Sequence, residues 1–226
     1  GMRRGEPCPV KAALMCETAG AHGITAHLRE DRRHIQDADM KALRKAVTTR
    51  LNFEMANTAA IVRFALGLKP DIVCLVPEKR EEVTTEGGLN VADQLRGLKR
   101  TCRRMNDSGI EVSLFIDPEM TQVEASAKSG AQFIELHTGA YAEQFDNARW
   151  RQRELSRLIA ASTHAHAMGL RVNAGHGLNY ENLTDLHAVP HMEELNIGHS
   201  IVSHAISVGL TKAVKEILRL MKGYHG

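Results

Sequence analysis

Residues 71–79 read Asp71-Ile72-Val73-Cys74-Leu75-Val76-Pro77-Glu78-Lys79, an unbroken apolar run that stops at a proline and two charges. A run this short and this apolar fits a strand buried on both faces. Its abrupt polar end recurs along the chain. Other short apolar runs stop at His27-Leu28-Arg29, Asn52-Phe53-Glu54, Asp117, Glu135-Leu136-His137, Asn173 through Gly177 and Asn196 through His199, seven endings in all. Segments with helical periodicity lie between them. Strands that are apolar along their length and reactive at one end are what a (β/α) barrel enzyme requires, because the loops after the strands build its active site. The expected fold class is therefore α/β, a TIM (β/α)8 barrel.

Working outward, helices are expected over residues 9–19, 38–47, 59–68, 91–106, 118–128, 147–168, 181–187 and 201–221. Asp37 and Asp117 are placed to cap the second and fifth of these, and Gly20 to end the first. The strands fall at 23–28, 50–55, 71–76, 111–116, 133–137, 171–174 and 194–197. Eight helices against seven strands, with a helix first, leave a closed barrel one strand short. Either the first strand is missing from this sequence, ahead of Pro9, or the sheet is open; the regular alternation of the rest favours a missing strand. No linker or change of composition interrupts the alternation, so residues 1–226 read as a single barrel domain.

Hydrophobic content of 43% and a net charge of +2 describe a soluble globular chain and leave out a polybasic nucleic-acid tail or membrane-binding surface. No apolar run approaches the ~20 residues of a membrane span, and no secretory leader is visible. Cys8, Cys16, Cys74 and Cys102 lack C-x-x-C or zinc spacing and read as buried or idle reduced thiols, which points to the cytoplasm.

The chemistry gathers at the strand ends. His27 and Arg29 share a strand face, with His34 close behind, and a guanidinium fork beside an imidazole suits a phosphate or carboxylate. The bland alternative is a solvated charged loop. Glu54 is in step with Asn52 on the inward face, where burial raises a carboxylate toward the range of a general base; a structural ion pair is the other reading. The loop 77–90 is long for a βα connection and offers Thr84 and Thr85 to a phosphate. Glu135 and His137 share a face. His176 between Gly175 and Gly177, and His199 after Gly198, place two Gly-His pairs at the last two strand ends, where barrels of this kind bind phosphate. A metal-dependent hydrolase is the chemical rival, but the first visible pair is His27-x-Arg29, and a guanidinium repels a cation. A phosphosugar-binding scaffold is the non-enzymatic alternative.

The segments GITAHLREDRRHI, NFEMA, CLVPEKREEVTTEGGLNV, VSLFID, FIELHTGAYA, LRVNAGHGLNYEN and ELNIGHSIVSHA resemble the pyridoxine 5′-phosphate synthase family of the bacterial deoxyxylulose-dependent vitamin B6 route. That resemblance implies a cytoplasmic homo-octamer of TIM barrels without metal or organic cofactor. It implies condensation of 1-deoxy-D-xylulose 5-phosphate with 3-amino-2-oxopropyl phosphate to pyridoxine 5′-phosphate, phosphate and water. By motif, His27 and Glu54 resemble the proton acceptors, His176 the proton donor, and Glu135 the transition-state stabiliser whose fixed negative charge faces cationic iminium character. Arg29, His34 and Thr84 resemble the contacts to the deoxyxylulose phosphate, and Gly177, Gly198 and His199 those to the other phosphate. The family begins with a strand bearing an Asn-x-Asp-His motif and an arginine-containing loop. Here only Arg3-Arg4-Gly5 resembles the end of that loop, so Arg4 alone is left as a phosphate ligand from it.

Overall fold

The structure is a computed structural model that describes residues 7–78 and 87–224; Arg4 and Thr84 lie outside the described residues. The chain runs α1 (Pro9–Ala19), β1 (Gly23–His27), α2 (Asp37–Ala46), β2 (Arg50–Met55), α3 (Ala59–Leu68), β3 (Ile72–Leu75), α4 (Val91–Asn106) and β4 (Glu111–Ile116). It continues with α5 (Met120–Ser129), β5 (Phe133–His137), α6 (Gly139–Glu143), α7 (Ala148–Ala167), β6 (Arg171–Gly175), a 3-10 turn (Thr184–Ala188), β7 (Met192–Asn196), α8 (His199–Val208) and α9 (Leu210–Met221). All seven strands are parallel and pair with their sequence neighbours in the order β1 to β7.

Two-residue alternation sorts every strand into an outer and an inner set. On β2 the outer residues Leu51, Phe53 and Met55 are fully buried, and Phe53 meets Phe64 of α3 edge-on with ring centroids 5.9 Å apart. The inner set is polar. At the N-terminal ends of the strands, Arg50 of β2 pairs with Glu111 of β4 and reaches Glu194 of β7 at 3.2 Å, while Arg171 of β6 lies 3.5 Å from Glu111. The guanidinium of Arg171 also sits 4.2 Å from the ring centroid of Phe133 on β5. A side chain of β2 touching β7 requires a strongly curled sheet. Thr25 of β1 donates to Asn196 Oδ1 of β7 at 2.7 Å, yet no backbone ladder joins those two strands. The architecture is a curled, seven-stranded parallel α/β sheet with an ionic floor at one end and the reactive strand ends at the other.

Four local expectations are corrected. Gln36, not Asp37, caps α2: Asp39 accepts the Gln36 backbone N–H at 2.8 Å, and Asp37 pairs with Arg32. Asp117 does not open α5, which begins at Met120 after Glu119, because its carboxylate is turned inward. The final helix is two helices, broken at Gly209, whose φ of 82° and ψ of 148° no helix contains. The five-residue α6 after β5 was not expected. Among the described residues no helix is long and apolar enough to cross a membrane.

Candidate active site

His27 ends β1 between two carboxylates. Its Nε2 is 2.9 Å from Glu78 Oε1, and its Nδ1 is 3.8 Å from Glu54 Oε2. Glu78, with a side chain only 4% exposed, also accepts the backbone N–H of Glu30 through Oε2 at 2.9 Å. One buried carboxylate thus fixes both the imidazole and the loop that follows it. A ring so held has a defined orientation, which proton transfer needs. Glu54 stands beside His27 on the next strand, in direct register with it. Burial pushes its carboxyl upward, and His27 opposes that in part.

Glu135 lies deeper, 2% exposed, on the inner face of β5. Asn196 Nδ2 donates to its Oε2 at 2.7 Å, and the Cys74 thiol points at the same oxygen at 3.6 Å. Glycine is required beside it: a Cβ on Gly175 would stand 2.3 Å from Glu135 Oε1. Burial first, and then the charge of Glu54, push the Glu135 carboxyl up to about 8. At neutral pH the free site holds a proton there, because two carboxylates sharing a water-poor interior do not both ionise. Cys74, buried as expected of these thiols, lies against this carboxyl.

His176 follows β6 with φ at 83°, a left-handed conformation, and Gly177 after it has φ at 78°. Thr138 Oγ1 donates to the His176 carbonyl at 2.6 Å and pins this turn. The ring projects at the mouth beside His137, with centroids 4.9 Å apart, and beside Phe115 at 6.4 Å. Desolvation, reinforced by His137, holds the His176 imidazole below its ordinary value, and Glu143 opposes them. His137 in turn places Nδ1 3.0 Å from the fully buried Asp117, whose carboxylate accepts the Gly88 backbone N–H.

Two groups suited to anions flank this acid/base cluster. Arg29, in the loop after β1, carries a buried Nε with no hydrogen-bond acceptor among the described residues, 3.6 Å from Asp31 Oδ1, and His34 is exposed in the same loop. After β6, Gly177 sits in its tight turn, and after β7, Gly198-His199 form the N-terminal end of the ten-residue α8, where backbone N–H groups favour negative charge. Thr84 lies outside the described residues. The structure thus brings His27, Glu54, Glu135 and His176 to one end of the sheet. Glu78, Asp117 and His137 were expected only as strand endings, Asp117 also as a helix cap, and none of them with a part in the chemistry. Their signal was the same as that of the residues given roles, a titratable group directly after an apolar run.

The family described as "Pyridoxal phosphate biosynthesis protein PdxJ" matches residues 2–223 of this chain. The chain is 56% identical over 221 residues to the pyridoxine 5′-phosphate synthase of Synechococcus sp. (strain RCC307), covering 97% of this chain and 86% of that one. It is 53% identical over 212 residues to the pyridoxine 5′-phosphate synthase of Opitutus terrae, covering 94% and 86%. In fold it is similar to the 3-keto-L-gulonate-6-phosphate decarboxylase of Vibrio cholerae, with a TM-score of 0.70 at 13% identity over 96% of this chain and 92% of that one.

Proposed function

The chain belongs to the PdxJ family of pyridoxal phosphate biosynthesis proteins, and from that premise we infer how its barrel mouth performs the family's reaction. It is an enzyme of vitamin B6 biosynthesis that forms pyridoxine 5′-phosphate from 1-deoxy-D-xylulose 5-phosphate and 3-amino-2-oxopropyl phosphate. Joining an amino ketone to a hydroxyketone proceeds by imine formation, dehydration, phosphate loss and ring closure, and each step moves a proton. His27 and Glu54 act as proton acceptors and His176 as the proton donor. Arg29, His34 and Thr84 hold one phosphate, and Gly177, Gly198 and His199 the other. Two grips on either side of the acid/base groups turn a bimolecular encounter into a positioned one. Glu135, held up by burial and by the charge of Glu54, stabilises cationic iminium character as it develops beside it.

The observation that carries this reading is the convergence of Glu54, at 3.8 Å, and Glu78, at 2.9 Å, on the two ring nitrogens of His27, at the end of the sheet that also holds Glu135 and His176. The test is product formation from the two substrates. His176→Ala is expected to lower kcat by about 10²-fold; unchanged turnover rejects His176 as the donor.

We propose further that the place between β1 and β7 seats an eighth strand bearing the Asn-x-Asp-His motif, which closes the barrel. Those two strands lack a backbone partner on their outer edges among the described residues. Nearby support is α8, which leaves Val202 62% and Ile206 87% exposed. The 226-residue chain by itself is expected to turn over about 10²-fold more slowly than the same chain extended upstream by such a strand. Equal rates reject the proposal.

A further inference from the structure

His137 is the one imidazole of the mouth that none of the roles above uses, and its surroundings are built. It ends β5, its side chain is 10% exposed, and the carboxylate it faces, Asp117 at the end of β4, is not exposed at all. Three glycines make room for this ring and its partner. A Cβ on Gly87 would lie 3.2 Å from His137 Cε1, and one on Gly88 would lie 2.3 Å from the Asp117 backbone nitrogen. A Cβ on Gly139, at the start of α6, would lie 2.6 Å from His137 Nε2 and 3.3 Å from His176 Cδ2. The point just above Gly139 is therefore where His137 Nε2 and the edge of the His176 ring come together.

We propose that Asp117 and His137 form a positioning pair for His176, with Asp117 fixing the tautomer of His137 and His137 fixing the ring of His176 and the charge it sees. The pair rests on the reading of His176 as proton donor, and its first test is independent of that reading.

Asp117 receives the Gly88 backbone N–H on both oxygens, Oδ1 at 3.1 Å and Oδ2 at 3.2 Å. A backbone N–H can only donate, so this end of the carboxylate is set up as an acceptor, and His137 meets Oδ1 with Nδ1 at 3.0 Å. The proton of neutral His137 accordingly sits on Nδ1, and Nε2 presents its lone pair toward Gly139 and His176. A carboxylate behind an imidazole sets tautomer and orientation in just this way in hydrolytic triads. The rings of His137 and His176 meet edge to face, at 63°, and Phe115 backs His137 with centroids 5.0 Å apart. The charged or titratable groups facing this histidine pair among the described residues are Asp117 from β4 and Glu143 from α6. Glu143 raises the proton affinity of His176 while desolvation and His137 lower it. Gly87 and Gly88 close the long loop after β3, so the same carboxylate that holds His137 also anchors that loop's end.

Nitrogen-15 NMR of the histidine rings in the substrate-free protein reads the tautomer directly. His137 is expected to show a protonated Nδ1 in the parent, and an Asp117→Asn variant, whose amide can donate to Nδ1, is expected to show the proton on Nε2. A protonated Nε2 in the parent overturns the assignment whether or not His176 is the donor. Kinetics test the link to His176. His137→Asn keeps a donor to Asp117 but removes the ring, and is expected to lower kcat about tenfold with little change in KM. Where His137 is itself protonated its charge opposes a second proton on His176, so with the ring removed the limb of the kcat–pH profile that belongs to His176 should move to higher pH. An unmoved limb, or a loss confined to KM, overturns the positioning role. Should Asp117→Asn fail to fold, the parent spectrum and His137→Asn decide the matter between them.

Discussion

Glu135→Gln is expected to lower kcat by about 10³-fold and yet to raise the melting temperature at pH 8.5. The activity loss follows from removing the one carboxyl that can become charged beside a developing cation in a dry interior. The stability gain follows from linkage. The folded carboxyl is raised from 4.5 to about 8, so its contribution is fully present below 4.5 and is lost as pH rises through 8. Above pH 8 the native protein must hold a buried charge at a cost on the order of a few kcal/mol. Glutamine does not titrate, is nearly isosteric, and still accepts from Asn196 Nδ2. Thermal unfolding at pH 5.5 and pH 8.5 checks this. The variant's advantage should be small at the lower pH, which is only about one unit above the ordinary 4.5, and large at the upper one. A variant less stable at pH 8.5 would show that Glu135 is an ionised, well-paired carboxylate at that pH.

The fold was legible where local signals are strong. β2, β4 and β5, and α1, α3 and α4, lie where apolar runs and glycine, proline or asparagine boundaries put them. β3 is recognisable because all four of its residues are buried, and the sequence is correspondingly apolar throughout. The break at Gly209 was missed because the apolar pattern continues past it, and one glycine in a periodic run reads as a tolerated interior residue. α6 was missed because five residues are too few to show a period.

The site was legible as a set of strand ends, since any inward titratable group there belongs to the mouth. Partnerships were not legible. Glu78 and His27 are 51 residues apart, and Asp117 and His137 are 20 apart. Asp117 before Pro118 has the local signature of a helix cap, and it is the β4–β5 register, Ile116 opposite Leu136, that sets it beside His137 instead. The protonation of Glu135 was illegible for the same reason. It depends on burial and on a carboxylate three strands away, on β2, and no local pattern encodes either.

Glu54→Gln should have the largest kinetic effect, about a 10⁴-fold fall in kcat, because it removes the acceptor carboxylate while leaving His27 held by Glu78. Its second effect separates it from a simple loss of a base. The charge of Glu54 helps push Glu135 upward, so in Glu54→Gln the Glu135 carboxyl should relax toward its ordinary value. Glu54 is itself raised by burial, and its neutral replacement removes a further alkaline penalty. Each single variant should therefore flatten the fall of stability between pH 5.5 and pH 8.5. The Glu54→Gln/Glu135→Gln double variant should gain less at pH 8.5 than the two singles added together, because either substitution already relieves their mutual repulsion. The comparison needs four proteins at two pH values. Strict additivity would mean that the two carboxylates titrate independently. Burial alone would then hold the proton on Glu135, and Glu54 could ionise as a base without affecting it.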